Sequence, residues 1–216
     1  MDDPEYHPEG AKMSNSVDNP EAYFRTFIRP REELLLRLEQ EAREEDIPII
    51  GPIVGELLFI LVKTMGARRI MELGTATGYS AIFLACGCRA VGGHVVTLEN
   101  NPRLAERAKN NLRSAGVEKT VEVVTADALE ALAEMAPPFD LIFIDIQKED
   151  YIRIMPHCHR LLRPGGLLVA DNVSYRGADT FNRAIFADKR WRSLNLYGYL
   201  PLHSPEKDAV CLAVRL

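Results

Sequence analysis

The stretch DLIFIDIQKEDYIRIMPHCHRLLRPGGLLVADN, residues 140–172, decides the fold. Its two flanks, DLIFID (140–145) and GLLVAD (166–171), are apolar nearly throughout. Short runs of that kind are strands buried on both faces, as in a parallel sheet. Between them, KEDYIRIMPHCHRLL reads as an amphipathic helix. Strand, helix and strand in this order make a βαβ unit. The alternation extends upstream. Strand-like RRIMEL (68–73), HVVTLE (94–99) and VEVVTA (121–126) are separated by helix-like YSAIFLACG and PRLAERAKNNLRSAG, and ALEALAEMA follows. The expected architecture is an α/β parallel sheet with helices on both faces.

At both ends the pattern changes. A helix over about Asp179 to Asp188 precedes SLNLYGYLPL, a turn at HSPEKD and AVCLAVRL, a strand–turn–strand ending that predicts antiparallel edge pairing. At the other end a helix from about Glu21 to Glu45 is split near Pro30, and a second runs from Pro52 to near Gly66. The division expected is a flexible tail over 1–19, helices packing on the core over 20–66, and the core itself over 67–216.

A chain of 216 residues buries enough surface to need neither disulfides nor a structural metal. Its net charge of −5 speaks against a protein built to coat nucleic acid. The first twenty residues lack the apolar core of a signal peptide, and the apolar stretch Ile47–Val62 is broken by Pro48, Gly51, Pro52 and Glu56, so no membrane span is expected. Cys86 and Cys88 are too close for a usual zinc pair. Cys158 lies between His157 and His159, but adjacent helical positions point different ways. A reducing cytoplasm is the simplest setting.

Ligands of open parallel sheets bind beyond the carboxyl ends of the strands. The first strand ends in Glu72-Leu73-Gly74-Thr75-Ala76-Thr77-Gly78-Tyr79-Ser80, a glycine turn leading into a helix, without the P-loop lysine and without GxGxxG spacing. Glu72 disfavours a pyrophosphate and favours a ligand with a cationic or donor group. Glu99, ending the second strand, suits the two hydroxyls of a ribose, or is a surface glutamate. Asp127, ending the third, suits an adenine amino group or a helix cap. Asp145 ends the fourth strand and Asp171-Asn172 the fifth. If those strands are neighbours, two carboxylates and an amide oxygen converge, a hard-oxygen set for Mg²⁺, Mn²⁺ or Ca²⁺ rather than zinc. Lys148 follows Asp145 by three residues. Beside a divalent cation a lysine's charged form is disfavoured, which suits it to act as a base; without one it is a solvated lysine pairing with Glu149 or Asp150.

Taken together, MELGTATGYSAIFLA, TLENNP, TADALEAL, FDLIFIDIQKEDY and LLRPGGLLVADNV resemble the cation-dependent O-methyltransferases of the catechol and caffeoyl-CoA type, over a span from about Ile47 to the C-terminus. The resemblance implies a Rossmann-like class I methyltransferase fold with seven strands in the order 3-2-1-4-5-7-6. It implies an S-adenosylmethionine site at Gly55, Glu72, Gly74, Tyr79, Ser80, Glu99, Asp127, Ala128 and Asp145. It further implies Asp145, Asp171 and Asn172 as metal ligands and Lys148 as the catalytic lysine. The acceptor is then a small hydroxylated molecule with vicinal oxygens, and the assembly a homodimer, for which the leucines of the first helices offer an interface.

Two departures from that family stand out. Only VSYRGADT separates Asn172 from Phe181-Asn182, a shorter acceptor cover than usual, which opens the site to bulky natural-product intermediates or a hydroxylated tRNA uridine. LPLHSPEKDAV replaces a common Gly-Asp-Gly, so His203, Glu206 and Lys207 either shape the acceptor pocket or form a polar turn. An NAD-type oxidoreductase and an inactive cofactor-binding protein are the alternatives from other classes.

Overall fold

The computed structural model describes residues 17–216. Seven strands form one sheet in the order β3-β2-β1-β4-β5-β7-β6. They are β1 (Arg69–Leu73), β2 (His94–Glu99), β3 (Val121–Thr125), β4 (Phe139–Ile144), β5 (Leu162–Ala170), β6 (Trp191–Tyr199) and β7 (Lys207–Arg215). The first five run parallel, and β7 is antiparallel to both its neighbours. This is the order that the resemblance implies and the hairpin ending that the sequence predicts. The crossing between β1 and β4 is the switch point of the sheet, with neighbouring connections leaving in opposite directions.

The helices are α1 (Pro20–Arg25), α2 (Glu33–Glu44), α3 (Gly51–Met65), α4 (Tyr79–Cys88), α5 (Pro102–Ser114), α6 (Ala128–Glu134), α7 (Tyr151–Leu161) and α8 (Asp179–Ala187). Strand residues alternate between two cores, as the two-residue pleat requires. Ile70, Leu141 and Phe143 join Leu58 and Val62 of α3 and Leu84 of α4 on one face. Met71, Ile142 and Ile144 join Tyr151 and Ile154 of α7 and Phe181 of α8 on the other. This double cover explains why the central strands read as continuous apolar runs.

The expected tail over 1–19 lies largely outside the described residues; Asn19 caps α1, its side chain accepting from Ala22 N at 3.0 Å. Most leucines of α2 go to the core: Leu38 is buried, with Leu34 and Leu35 packed beside it, and Leu36 stays exposed. Tyr23, Phe24 and Phe27 around α1 are also exposed, and their rings meet one another edge-on or tilted. Finally, the His157-Cys158-His159 triplet faces three ways. Cys158 is in the core, and His159 packs edge-on against Trp191.

Candidate active site

A cavity of about 500 Å³ opens at the carboxyl ends of β1, β2, β3, β4 and β5. Its wall carries Gly74, Ser80, Glu99, Asp127, Asp145 and Lys148, and Asn172 closes one side. Residues far apart in sequence meet here because Leu73 pairs with both Leu98 and Ile144, and Ile144 with Ala170, so the strand ends are level.

Gly74 holds two of those ends together. It adopts φ +96, and a side chain there would collide with the carbonyl oxygen of Asp145. Only glycine allows β1 to turn this close to β4. One residue earlier, Glu72 is wholly buried, with Thr97 Oγ1 donating to its Oε2 at 2.6 Å. Its Oε1 has no partner among the described residues. Burial pushes the carboxyl up to about 7, tempered by Ser80 and Thr97. A buried acid with an orphan oxygen fits a ligand that brings positive charge. Glu99 is ordered differently. Ala76 N donates to one oxygen at 2.8 Å and Asn101 N to the other at 2.9 Å. The anchored carboxylate keeps lone pairs for a pair of hydroxyls. Asp127 caps α6, with Oδ1 accepting from Leu129 N at 2.8 Å, and Ala128 follows it on the cavity wall.

The other end of the cavity is acidic. Lys148 stands on a 3₁₀ turn just before α7 and donates to Asp145 Oδ1 at 2.7 Å. Asp171 is buried, with both oxygens facing Nε2 of His203 at 2.8 and 3.1 Å. Burial raises its carboxyl above the ordinary value, with Asp145 adding to the rise and His203 opposing it. For the imidazole, burial works downward, but the hydrogen bond and charge of Asp171 outweigh it and its pKa is raised. Asn172, at φ +51, donates through Nδ2 to Asp208 Oδ2 at 2.6 Å and to the Ser204 carbonyl at 3.1 Å. With its amino end turned away, the amide presents Oδ1, an acceptor only. Two carboxylates and this oxygen are a donor set for a hard divalent cation. Among the described residues no three His, Cys, Asp or Glu side chains form a metal-ligand group.

Three of the expected residues, Gly55, Glu72 and Asp171, do not line the cavity, and Tyr79 lines it with its hydroxyl engaged elsewhere. Gly55 lies in α3, where a Cβ would press to 2.7 Å from the Phe83 ring. Tyr79 reaches the wall, but its hydroxyl donates to Glu39 Oε1 at 2.7 Å, and Arg31 pairs with that carboxylate at 2.6 Å. Glu39 and Asp208 are partners that the sequence analysis missed. Both are acids inside otherwise apolar surroundings, a signal readable for Asp208 at the head of an apolar strand and weaker for Glu39 in a charge-rich helix. His203, left open between a polar turn and the acceptor pocket, is 4% exposed and sits on Asp171.

Residues 31–194 match a family model described as O-methyltransferase. A catechol O-methyltransferase of Mycobacterium tuberculosis is 46% identical over 120 residues, covering 55% of this chain and 54% of that protein. A catechol O-methyltransferase of Niastella koreensis is 35% identical over 170 residues, covering 74% of this chain and 76% of that protein. Among solved structures, the O-methyltransferase from Bacillus cereus in complex with SAH superposes with a TM-score of 0.81 at 31% identity, covering 91% of this chain and 96% of that one.

Proposed function

Because this chain belongs to the O-methyltransferase family, we propose that it moves a methyl group from S-adenosylmethionine to a hydroxyl of a small catechol-like acceptor, with a divalent cation at Asp145, Asp171 and Asn172. The observation that carries this reading is the placing of Asp145, Lys148 and Asn172 in the same cavity as Gly74, Ser80 and Glu99. A donor pocket and an acidic acceptor end share one space.

The donor would lie along β1 and β2. Glu99 would accept from the ribose, Asp127 from the adenine amino group, and the buried charge of Glu72 would balance the cationic end. At the acidic end a divalent cation supplies positive charge that favours the ionised form of a neighbouring hydroxyl. Mg²⁺ fits the oxygen donors, with Mn²⁺ or Ca²⁺ as substitutes. Lys148 would take the acceptor's proton at Nζ only after giving up the proton it donates to Asp145 Oδ1 in the free protein. The oxygen–carbon bond forms as the sulfur–carbon bond breaks, so an anion and a sulfonium become neutral together. The walls contribute alignment and exclusion of water, worth several kcal/mol in well-oriented reactions.

The short segment after Asn172 leaves Tyr175 46% exposed at the cavity edge, room for a bulkier acceptor. Among the described residues no helix is long and apolar enough to cross a membrane. A cytoplasmic enzyme acting as a homodimer completes the proposal. Labelled methyl transfer to a panel of catechols, flavonoids and bulk tRNA tests it, with Mg²⁺, with chelator and in Asp145→Ala. Transfer to catechols that disappears under chelator and in the variant is the expected result. Transfer indifferent to both overturns the cation's part, and transfer to tRNA alone overturns the acceptor class.

A further inference from the structure

We propose that His203 is a positioning residue for Asp171, and that the turn between β6 and β7 is built to place it; this rests on the cation reading above. The turn is tightly determined. His203 N donates to the Leu200 carbonyl at 3.0 Å, and Leu200 N to that of Glu206 at 2.7 Å. The Glu206 carboxylate accepts from Leu202 N at 2.8 Å and is clamped from outside by Arg25 at 2.9 Å. At its inner side the turn rests on Gly51, where a Cβ would stand 2.7 Å from the Leu202 carbonyl carbon. Any side chain at position 51 would collide with the backbone of the turn at Leu202 and His203.

Both ring nitrogens are spoken for. The Pro205 carbonyl, 2.7 Å from Nδ1, can only accept, so Nδ1 carries a proton. Nε2 is thereby directed at Asp171, between its two oxygens. A contact shared by both oxygens stops the carboxylate from rotating. Asn172 is held in the same manner by the Ser204 carbonyl and Asp208. The last hairpin therefore backs both donors at the end of β5. Packing alone does not call for histidine here. A buried imidazole loses hydration that an aliphatic side chain never had, and only the polar contacts offset that cost. Partners that orient metal-ligating side chains are commonly worth about 10- to 100-fold in metal affinity.

Mn²⁺ titration followed by the EPR signal of the free ion tests this without reference to turnover. The proteins compared are the wild type, His203→Phe and His203→Gln, with SAH binding and thermal melting as controls for folding. Weakening by about 10- to 100-fold in His203→Phe, with SAH affinity retained and part of the loss recovered in His203→Gln, is expected, since the glutamine amide can donate to the same carboxylate. Wild-type Mn²⁺ affinity in His203→Phe overturns the proposal and leaves the cation reading standing. A wild-type protein that binds SAH but no Mn²⁺ overturns the cation reading itself, and the proposal with it. If His203→Phe does not fold, His203→Asn replaces it: its shorter amide cannot reach Asp171, so equal Mn²⁺ affinity in the Gln and Asn proteins overturns the proposal, and tighter binding by Gln supports it.

Discussion

Glu72 carries a pKa of about 7 where an exposed glutamate has 4.5, and the sign of that difference makes two predictions. A buried acid with a raised pKa favours the folded state below the unfolded value and loses that contribution as pH rises through 7. The free protein should therefore lose roughly 3 kcal/mol of stability from this group between pH 4.5 and 7.5, and Glu72→Gln should flatten that part of the profile. Denaturant titrations at a series of pH values read this directly; parallel curves for the two proteins would contradict it. Binding of a cationic donor works the other way, since it stabilises the ionised acid. S-adenosylmethionine affinity should rise across pH 6 to 8 in the wild type and stay level in Glu72→Gln, by calorimetry. Lys148→Met should leave SAH affinity unchanged and lower kcat by about 10²- to 10⁴-fold, the range for removing a general base. A fall in affinity with kcat intact would make Lys148 a binding residue instead. Glu72, Glu99, Asp145 and Asp171 were legible because strand ends are countable from the apolar runs. His203 and Asp208 were not, because what they touch is set by a hairpin turn whose path no local pattern specifies.

Elements read from periodicity came out where residues obey one rule along a whole segment. The central strands and the β6–β7 hairpin are such cases, and α3 ends at Gly66 as read, the glycine taking a left-handed conformation. The start of β5 was hidden because Pro164 and Gly165 interrupt its apolar run. The structure extends it back to Leu162, where Arg163 pairs with Asp140 at 2.7 Å and that carboxylate also accepts from Arg68 N and Arg69 N. Those are contacts across the sheet and leave no local trace. Gly55 poses the same problem between α3 and α4. Resemblance places it near the donor's methionine end, and geometry places it flat on Phe83. Gly55→Ala separates the two. An added methyl in this packed contact should cost about 1–3 kcal/mol, a melting point lower by several degrees, with SAH affinity within threefold of wild type. A large loss of SAH affinity without a loss of stability would return Gly55 to the donor site.

At the scale of the whole molecule, the dimer expected from the sequence has a second candidate surface besides the leucines of α2. Leu34, Leu35 and Leu38 of α2 pack on the core, and the large apolar side chains facing outward include Leu36 of α2, Leu194, Leu196 and Tyr197 on β6, and Tyr23, Phe24 and Phe27 around α1. The helix is fixed beside the strand. Arg25 hydrogen-bonds Tyr199 and Glu206, and Lys207 pairs with Glu21 at 2.9 Å. β6 is also a sheet edge, with β7 on one side and backbone groups free on the other. Exposed aromatics beside an open edge are a costly surface for a monomer to carry in water, and a second copy of the chain can cover both at once. Sedimentation should show a dimer for the wild type and a monomer for Phe24→Ser/Phe27→Ser, with SAH affinity kept. Since Arg25 also grips the turn that carries His203, the monomeric variant should bind Mn²⁺ more weakly than the dimer if the interface steadies α1. A wild type that sediments as a monomer at every concentration would show that this surface meets no second copy.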